Sequence, residues 1–349
     1  MAAAVNPVSV MLIAGEPSGD LLAAELVLAL RQALLDNHPG TSDPSPASAG
    51  SLAPRFFGAG GPRMAAAGVE LILDMTVHTV FGLSEALQQL ARFRRIFRQL
   101  LRVATERQPD LIVLVDYAGF NRRFAAAVMR HVRSRQGLFH NWHPRIVYFV
   151  SPQVWASREG RARQLARDVA LLLSIFPFET AWYQQRVPQL PVAFVGHPMI
   201  DRYAGVPVPP DAAPTADSRP RVLLLPGSRR QEVRRHLPVL VDAVREIQRQ
   251  QPVDLRLVLP DERLRPLVER HATSLPGMHV QIGDLSGALA QSDLALAKSG
   301  TVVLECAYFR VPTVVIYRAA WPTFLLARLL VRVRHVAMPN LLAGRELFP

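Results

Sequence analysis

Cysteine is nearly absent: Cys306 is the only one in 349 residues. That excludes a disulfide framework and a cysteine-built zinc site. Long apolar runs are missing too. No stretch reaches 18 consecutive apolar residues, so no bilayer-spanning helix is expected. Met1-Ala2-Ala3-Ala4 has no basic n-region, and the first apolar run, Val8 to Ala14, is too short for a signal sequence. The cytoplasm is the expected compartment. Lysine is as scarce as cysteine: of 40 basic residues, all but Lys298 are arginine. The histidines form no metal pattern. His140 and His143 stand three apart without further ligands, and no metal or other cofactor is expected.

What is present describes a large globular protein. Half the residues are hydrophobic and 19% are charged, which excludes a disordered chain. The length suits two domains. A net charge of +12 should attract polyanions, whether nucleic acid, anionic lipid or a phosphorylated substrate. Charge alone does not choose among them.

The first half alternates strand and helix. Val8–Ala14, Phe56–Gly61, Leu111–Val115, Arg145–Val150 and Ala170–Ile175 read as buried strands. Leu21–Leu35 reads as a helix, Gly15–Asp20 as a turn and Asp36–Pro54 as a surface insertion. Ala204–Pro220, rich in Pro and Ala, reads as a linker. The second half repeats the grammar with strands at Arg221–Leu225, Leu255–Leu259, Val280–Gly283, Asp293–Ala297 and Thr313–Tyr317. A helix over Gln231–Gln250 carries Pro238, an expected kink. Apolar strands without alternation, separated by helices, form parallel sheets covered on both faces. The fold class is therefore α/β, with two doubly wound, Rossmann-like domains, 1–199 and 200–349, facing a cleft. Ligands then sit beyond the carboxyl ends of the strands.

The chain is organised around Lys298-Ser299-Gly300-Thr301, where a short strand turns into a helix. Free backbone N–H groups, a helix dipole and the hydroxyls of Ser299 and Thr301 suit a phosphate there. Glu305, one helical turn on, could accept from ribose hydroxyls. An ordinary capped strand–turn–helix gives the same pattern. In Pro226-Gly227-Ser228-Arg229, Gly227 permits close backbone approach and Arg229 could clamp phosphate oxygens. Asp116 ends an apolar strand, where it could take a proton from a hydroxyl or merely form an Asx turn. Glu16 and Ser18 follow the first strand, and Ser151, Gln153 and Trp155 follow another. Each of these two loops reads equally as a packing turn. Arg92 to Arg102 forms an amphipathic helix, with Phe93, Ile96, Phe97, Leu100 and Leu101 on one face. It suits either an anionic membrane or the protein core. Trp321 to Arg334 shares that ambiguity.

Together these stretches resemble lipid-A-disaccharide synthases, inverting glycosyltransferases of the GT-B fold. The resemblance rests on Ala14–Asp20, Gly60–Met64, Asp116–Asn121, Val150–Trp155, Phe194–Pro198, Leu225–Arg229, Ser299–Glu305 and Pro339–Glu346, in the family's order. It implies transfer from UDP-2,3-diacylglucosamine to the 6-hydroxyl of 2,3-diacylglucosamine 1-phosphate, at the inner face of the inner membrane. It implies Asp116 as catalytic base. It places Gly227, Ser228, Arg229, Ser299, Gly300, Thr301, Glu305 and Asn340 at or near the nucleotide. Glu16, Ser18, Asn121, Ser151, Gln153 and Trp155 would line the acceptor side or the cleft. The family usually has Pro at Ala118 and Trp at Ser157; the first departure should loosen the Asp116 turn and the second should alter a sugar or acyl contact. The family's chain also usually continues past residue 349, so a truncated second domain is expected. The rival readings are another UDP-sugar GT-B enzyme, such as an undecaprenyl-linked N-acetylglucosamine transferase or a UDP-sugar 2-epimerase, and a basic nucleic-acid-binding protein. The family loops disfavour the first. The second lacks basic and aromatic residues interleaved on an exposed sheet, so no specific nucleic acid is expected.

Overall fold

The computed structural model describes residues 7–36, 54–76, 86–137, 139, 141–208, 219–272, 275, 277–319 and 337–349. Most of the expected insertion (37–53), part of the expected linker (209–218), His140 and the Trp321–Arg334 stretch lie outside the described residues.

Two compact units divide the chain, Met1–Pro198 and Met199–Pro349. The first runs β1 (Ser9–Ala14), α1 (Pro17–Asp36), β2 (Arg55–Gly60), α2 (Pro62–Ala66), β3 (Glu70–Asp74), α3 (Ala86–Arg107), β4 (Leu111–Val115) and α4 (Ala118–Arg135). It continues with β5 (Arg145–Phe149), α5 (Val154–Ser157), α6 (Arg161–Asp168), β6 (Leu171–Ser174), α7 (Pro177–Arg186) and β7 (Val192–Phe194). Its seven strands pair in the order β3-β2-β1-β4-β5-β6-β7, all parallel. The central strands carry apolar side chains on both faces, because helices cover both faces. Met11, Leu12, Ile13, Ile112 and Leu114 are fully buried.

The second unit runs α8 (Met199–Tyr203), β8 (Arg221–Leu225), α9 (Arg230–Gln250), β9 (Asp254–Leu259), a 3-10 turn at Glu262–Leu264, α10 (Arg265–Ala272) and β10 (Met278–Ile282). Then come α11 (Leu285–Ala290), β11 (Leu294–Lys298), α12 (Val302–Tyr308), β12 (Thr313–Ile316) and α13 (Met338–Ala343). The sheet order is β10-β9-β8-β11-β12, again parallel throughout. Helix α9 continues through Pro238. Its buried stripe of Val233, Leu237, Leu240, Val241 and Val244 supplies the packing that offsets the lost backbone donor.

One expectation needs correcting, and one open choice is decided. The turn after β1 is shorter than expected, because Pro17 starts α1. Proline fits the first helical position, where its missing N–H is no loss, so Ser18 lies in the first helical turn and only Gly15 and Glu16 form the turn. The basic helix α3 does not offer its apolar face to a membrane. Ile96 and Leu100 are buried, and Phe93, Phe97 and Leu101 pack on the same core. The Phe97 ring meets Phe120 edge-on at 5.4 Å and Phe124 at 5.9 Å. Arg94, Arg95, Arg98 and Arg102 form the exposed face.

Candidate active site

Where strand order reverses in an open parallel sheet, the loops from adjacent strands diverge and leave a crevice. The reversal falls between β1 and β4 in the first unit and between β8 and β11 in the second. The loops leaving those four strands are Gly15–Glu16, Asp116–Tyr117, Pro226–Arg229 and Ser299–Thr301. Chemistry and topology thus single out the same four segments.

In the first unit, Asp116 and Tyr117 both adopt φ of 48°, in the left-handed region. Two consecutive non-glycine residues there cost roughly 1–3 kcal/mol each and persist only when the surroundings fix them. Three bonds do so. The Asp116 N–H donates to the Phe149 carbonyl at 3.0 Å. The Asp116 carbonyl accepts from Tyr148 Oη at 2.6 Å and from Asn121 Nδ2 at 2.9 Å. Burial first, then the Asp116 charge, pushes the Tyr148 hydroxyl well above its ordinary pKa, so it stays a donor. Asn121 Nδ2 also lies 3.1 Å from the Val115 carbonyl and 3.3 Å from that of Ile13. Asn121 is fully buried and its Nδ2 braces the turn, while its Oδ1 has no hydrogen-bond partner. The Tyr117 ring lies over Gly15, where a Cβ would sit 2.2 Å from it. Burial and the Glu16 charge raise the Tyr117 hydroxyl to about 12. Ala118 opens α4 directly after this turn, which these bonds already hold.

The Gly15–Asp20 and Gly60–Met64 motifs prove to be one device. Asp20, buried, accepts from the backbone N–H groups of Gly61 (2.8 Å), Arg63 (3.1 Å) and Met64 (3.0 Å). It caps α2 across the sequence. The spacing did not reveal this role, because the partners lie some 41 residues away.

The loop after β5 begins with Val150 at φ of 66°, rare for a β-branched residue. Beyond it, Ser151 and Trp155 are buried while Gln153 is exposed. Ser151 Oγ donates to Tyr183 Oη at 3.1 Å. Trp155 Nε1 donates to Glu179 Oε1 at 2.9 Å, and Ser174 Oγ lies 2.7 Å from Glu179 Oε2. Glu179 is fully buried with neutral donors around it. Burial raises its pKa, and those donors partly oppose the shift. Ser151 and Trp155 therefore form a floor under the loop, and Gln153 is its accessible residue. The sequence reading missed Glu179 because a carboxylate in a helix's first turn looks like ordinary surface.

In the second unit, Gly227 takes φ of 123°, and a Cβ there would meet Glu232 Cβ at 2.7 Å. Glu232 organises the whole switch point. Its Oε2 accepts from the Ser228 N–H at 3.1 Å, and its Oε1 lies 3.0 Å from Lys298 Nζ and 3.5 Å from Arg229. Burial raises its pKa, but Lys298, Ser228 and Arg229 outweigh that and leave it lowered. One turn on, His236 Nε2 accepts from the Arg318 N–H at 3.0 Å, so Nδ1 carries the proton and donates to the Glu232 carbonyl at 2.8 Å. Burial lowers the His236 pKa, which keeps the ring neutral. Ser228, Arg229 and Thr301 are exposed, and Ser299 and Gly300 are half-buried. The Ser299 N–H donates to the Ile316 carbonyl at 2.9 Å, which fixes that turn on β12. Glu305 accepts from Tyr203 Oη at 2.9 Å, with Arg202 at 3.7 Å. Burial raises the Glu305 pKa against both partners. Asn340 stands apart: its amide is taken up by the Leu347 N–H (3.0 Å), the Phe348 N–H (2.9 Å) and the Phe348 carbonyl (2.8 Å).

Among the described residues, no three His, Cys, Asp or Glu side chains are grouped to hold a metal, and no helix is long and apolar enough to cross a membrane. The first unit thus offers a braced carboxylate at its switch point, a group suited to proton transfer. The second offers exposed loop amides and an arginine at its own, groups suited to phosphate.

Comparison with known proteins identifies the family and the fold. The family model described as lipid-A-disaccharide synthetase matches residues 10–349. The chain is similar to a lipid-A-disaccharide synthase of Trichlorobacter lovleyi, at 38% identity over 97% of this chain and 82% of the relative. A second, from Coxiella burnetii, is 36% identical over 96% of this chain and 82% of its own. Among solved structures, a UDP-GlcNAc 2-epimerase from Neisseria meningitidis bound to UDP-GlcNAc covers 97% of this chain and is itself covered to 90%, with a TM-score of 0.56 and 11% identity. That likeness is one of fold, two Rossmann-like units, as in GT-B enzymes. Given the family match over nearly the full length, the chain belongs to the lipid-A-disaccharide synthases, the glycosyltransferases of lipid A biosynthesis.

Proposed function

We propose that this glycosyltransferase moves the sugar of UDP-2,3-diacylglucosamine to the 6-hydroxyl of 2,3-diacylglucosamine 1-phosphate. The products are the β-1,6-linked disaccharide 1-phosphate and UDP. The observation that carries the reading is the Asp116 turn, a strained carboxylate-bearing loop braced at a switch point by Asn121, Tyr148 and the Phe149 carbonyl. Asp116 takes the proton of the acceptor 6-hydroxyl as its oxygen attacks the anomeric carbon. The bond to the UDP oxygen breaks on the opposite face, so configuration inverts.

Charge then develops on the leaving diphosphate. Arg229, the loop of Gly227 and Ser228, and the Ser299–Thr301 turn stabilise it, and no metal is invoked. Glu305 takes the ribose hydroxyls. Gln153, Glu16 and Ser18 border the acceptor. Asn121, Ser151 and Trp155 shape that side from beneath, and Asn340 acts only through the backbone it holds. Both substrates are acylated, so the enzyme works at an anionic membrane surface on the inner face of the inner membrane, drawn there by arginines such as those on the exposed face of α3.

The test is to incubate purified protein with the two acylated sugars and to follow UDP and disaccharide by mass spectrometry. Formation of both is expected. Their absence, with the protein folded and detergent-solubilised substrate present, overturns the reading. Arg229→Ala should weaken UDP binding roughly tenfold in calorimetry, the scale of one charge-assisted contact.

A further inference from the structure

Four arginines gather at the carboxyl end of the first sheet. Arg122 and Arg123 stand in the second turn of α4, Arg158 closes α5 and Arg161 opens α6. One bond ties Arg122 to α6, and a second joins Arg158 to Arg161. Arg122 Nη1 donates to Gln164 Oε1 of α6, and the Arg161 N–H donates to the Arg158 carbonyl at 3.0 Å. Burial, then the charges of Arg123 and Arg158, hold Arg122 below its ordinary pKa. Burial and the charges of Arg122, Arg158 and Arg123 do the same to Arg161.

Among the described residues no carboxylate pairs with any of the four. Those of the same segment are committed elsewhere: Glu159 to Arg186 at 3.7 Å, and Asp168 to Arg133 and Arg167 at 2.9 and 3.2 Å. Arg122 Nε is buried without a hydrogen-bond partner. Clustered like charges repel, so such a group calls for an anion. Its position names the anion. Asn121, the neighbour of Arg122, braces Asp116, and the Tyr148 hydroxyl on the Asp116 carbonyl feels the charges of both Asp116 and Arg122.

We propose that Arg122, Arg123, Arg158 and Arg161 form the subsite for the anomeric phosphate of the acceptor, one pyranose ring away from the hydroxyl that Asp116 deprotonates. The inference rests on the acceptor chemistry given under Proposed function. Guanidinium forks match the geometry of a phosphate monoester, and several of them suit its double charge. The subsite would also orient the ring, so that the 6-hydroxyl and no other faces the base.

The test compares two acceptors, 2,3-diacylglucosamine 1-phosphate and the same sugar without phosphate, for wild type and for R158Q/R161Q. Wild type should favour the phosphorylated acceptor in kcat/KM. The double variant should lose ~10- to 100-fold of that preference, the scale of one or two charge-assisted contacts, with UDP affinity unchanged. R158K/R161K should restore part of it. If the double variant melts early, the exposed single variants R123Q and R158Q carry the measurement. An unchanged preference overturns the subsite. So does an unchanged preference accompanied by lost binding to phosphatidylglycerol vesicles, which would assign the arginines to lipid headgroups. A wild type that turns over neither acceptor removes the functional reading itself, an outcome distinct from a wild type that is active but indifferent to the phosphate.

Discussion

Glu232 holds Lys298, the only lysine of the chain, at 3.0 Å, and with its other oxygen takes the Ser228 N–H at 3.1 Å. One carboxylate thereby joins the loop after β8 to the end of β11. Each side chain of the pair is 17% exposed, so neither is free to rely on water.

Replacing Glu232 by Ala should strand the Lys298 charge and release the loop. We expect a loss of about 1–3 kcal/mol, the cost of leaving a buried partner unsatisfied, read by urea denaturation. UDP affinity should fall in parallel. The folded pKa of Glu232 is lowered, so its contribution is present above the ordinary carboxylate value and disappears as pH falls through the folded one. Wild-type stability should therefore converge on that of the variant in acid. A constant gap across pH would refute this account.

Asp116→Asn should retain the fold, because asparagine tolerates the left-handed conformation seen at φ 48°. Without the carboxylate, turnover should fall by about 10²–10⁴ while UDP still binds. Near-wild-type turnover would remove Asp116 from the base role.

Gly15→Ala places a methyl 2.2 Å from the Tyr117 ring. The ring must move, and it is part of the strained turn. Overpacking of this kind costs typically about 1–3 kcal/mol. The thermal midpoint should drop, and the acceptor KM should rise more than the donor KM. An unperturbed variant would mean that Tyr117 has room to yield.

Glu179 gives a prediction of opposite sign. Its folded pKa is raised by burial, so its stabilising contribution is complete below the ordinary value and is lost as pH rises through the folded one. Glu179→Gln keeps an acceptor for Trp155 and removes the titration. The variant should gain on wild type as pH climbs above 4.5, measured by paired denaturation curves. Parallel pH profiles would show that Glu179 does not titrate in this range.

Both parallel sheets were legible because their central strands are uninterrupted apolar runs; Leu111–Val115 and Arg221–Leu225 match residue for residue. The edge strands Glu70–Asp74 and Val192–Phe194 were not, since partial exposure dilutes the pattern and the second has only three residues. Switch-point loops were visible as polar breaks after strands. Their supports, Asp20, Tyr148, Glu179 and Glu232, were not, because each acts on a partner brought near only by folding. Burial also bears on roles: Trp155 and Asn340 spend their polar groups on the protein itself, and Asn121 spends its amide N–H groups there while its Oδ1 has no hydrogen-bond partner. The apolar face of α3 fitted both membrane and core by periodicity, and the burial of Ile96 and Leu100 with the packing of Phe97 decides for the core.

The solitary lysine has a practical consequence. Nitrogen-15 fed as lysine alone would light a single side-chain amine in the entire molecule, at the strand end beside Glu232. Its resonance would report each ligand that enters that corner, with no assignment effort and no engineered tag. Amine-directed probes would likewise find one interior address, shielded or exposed according to whether Glu232 keeps its grip.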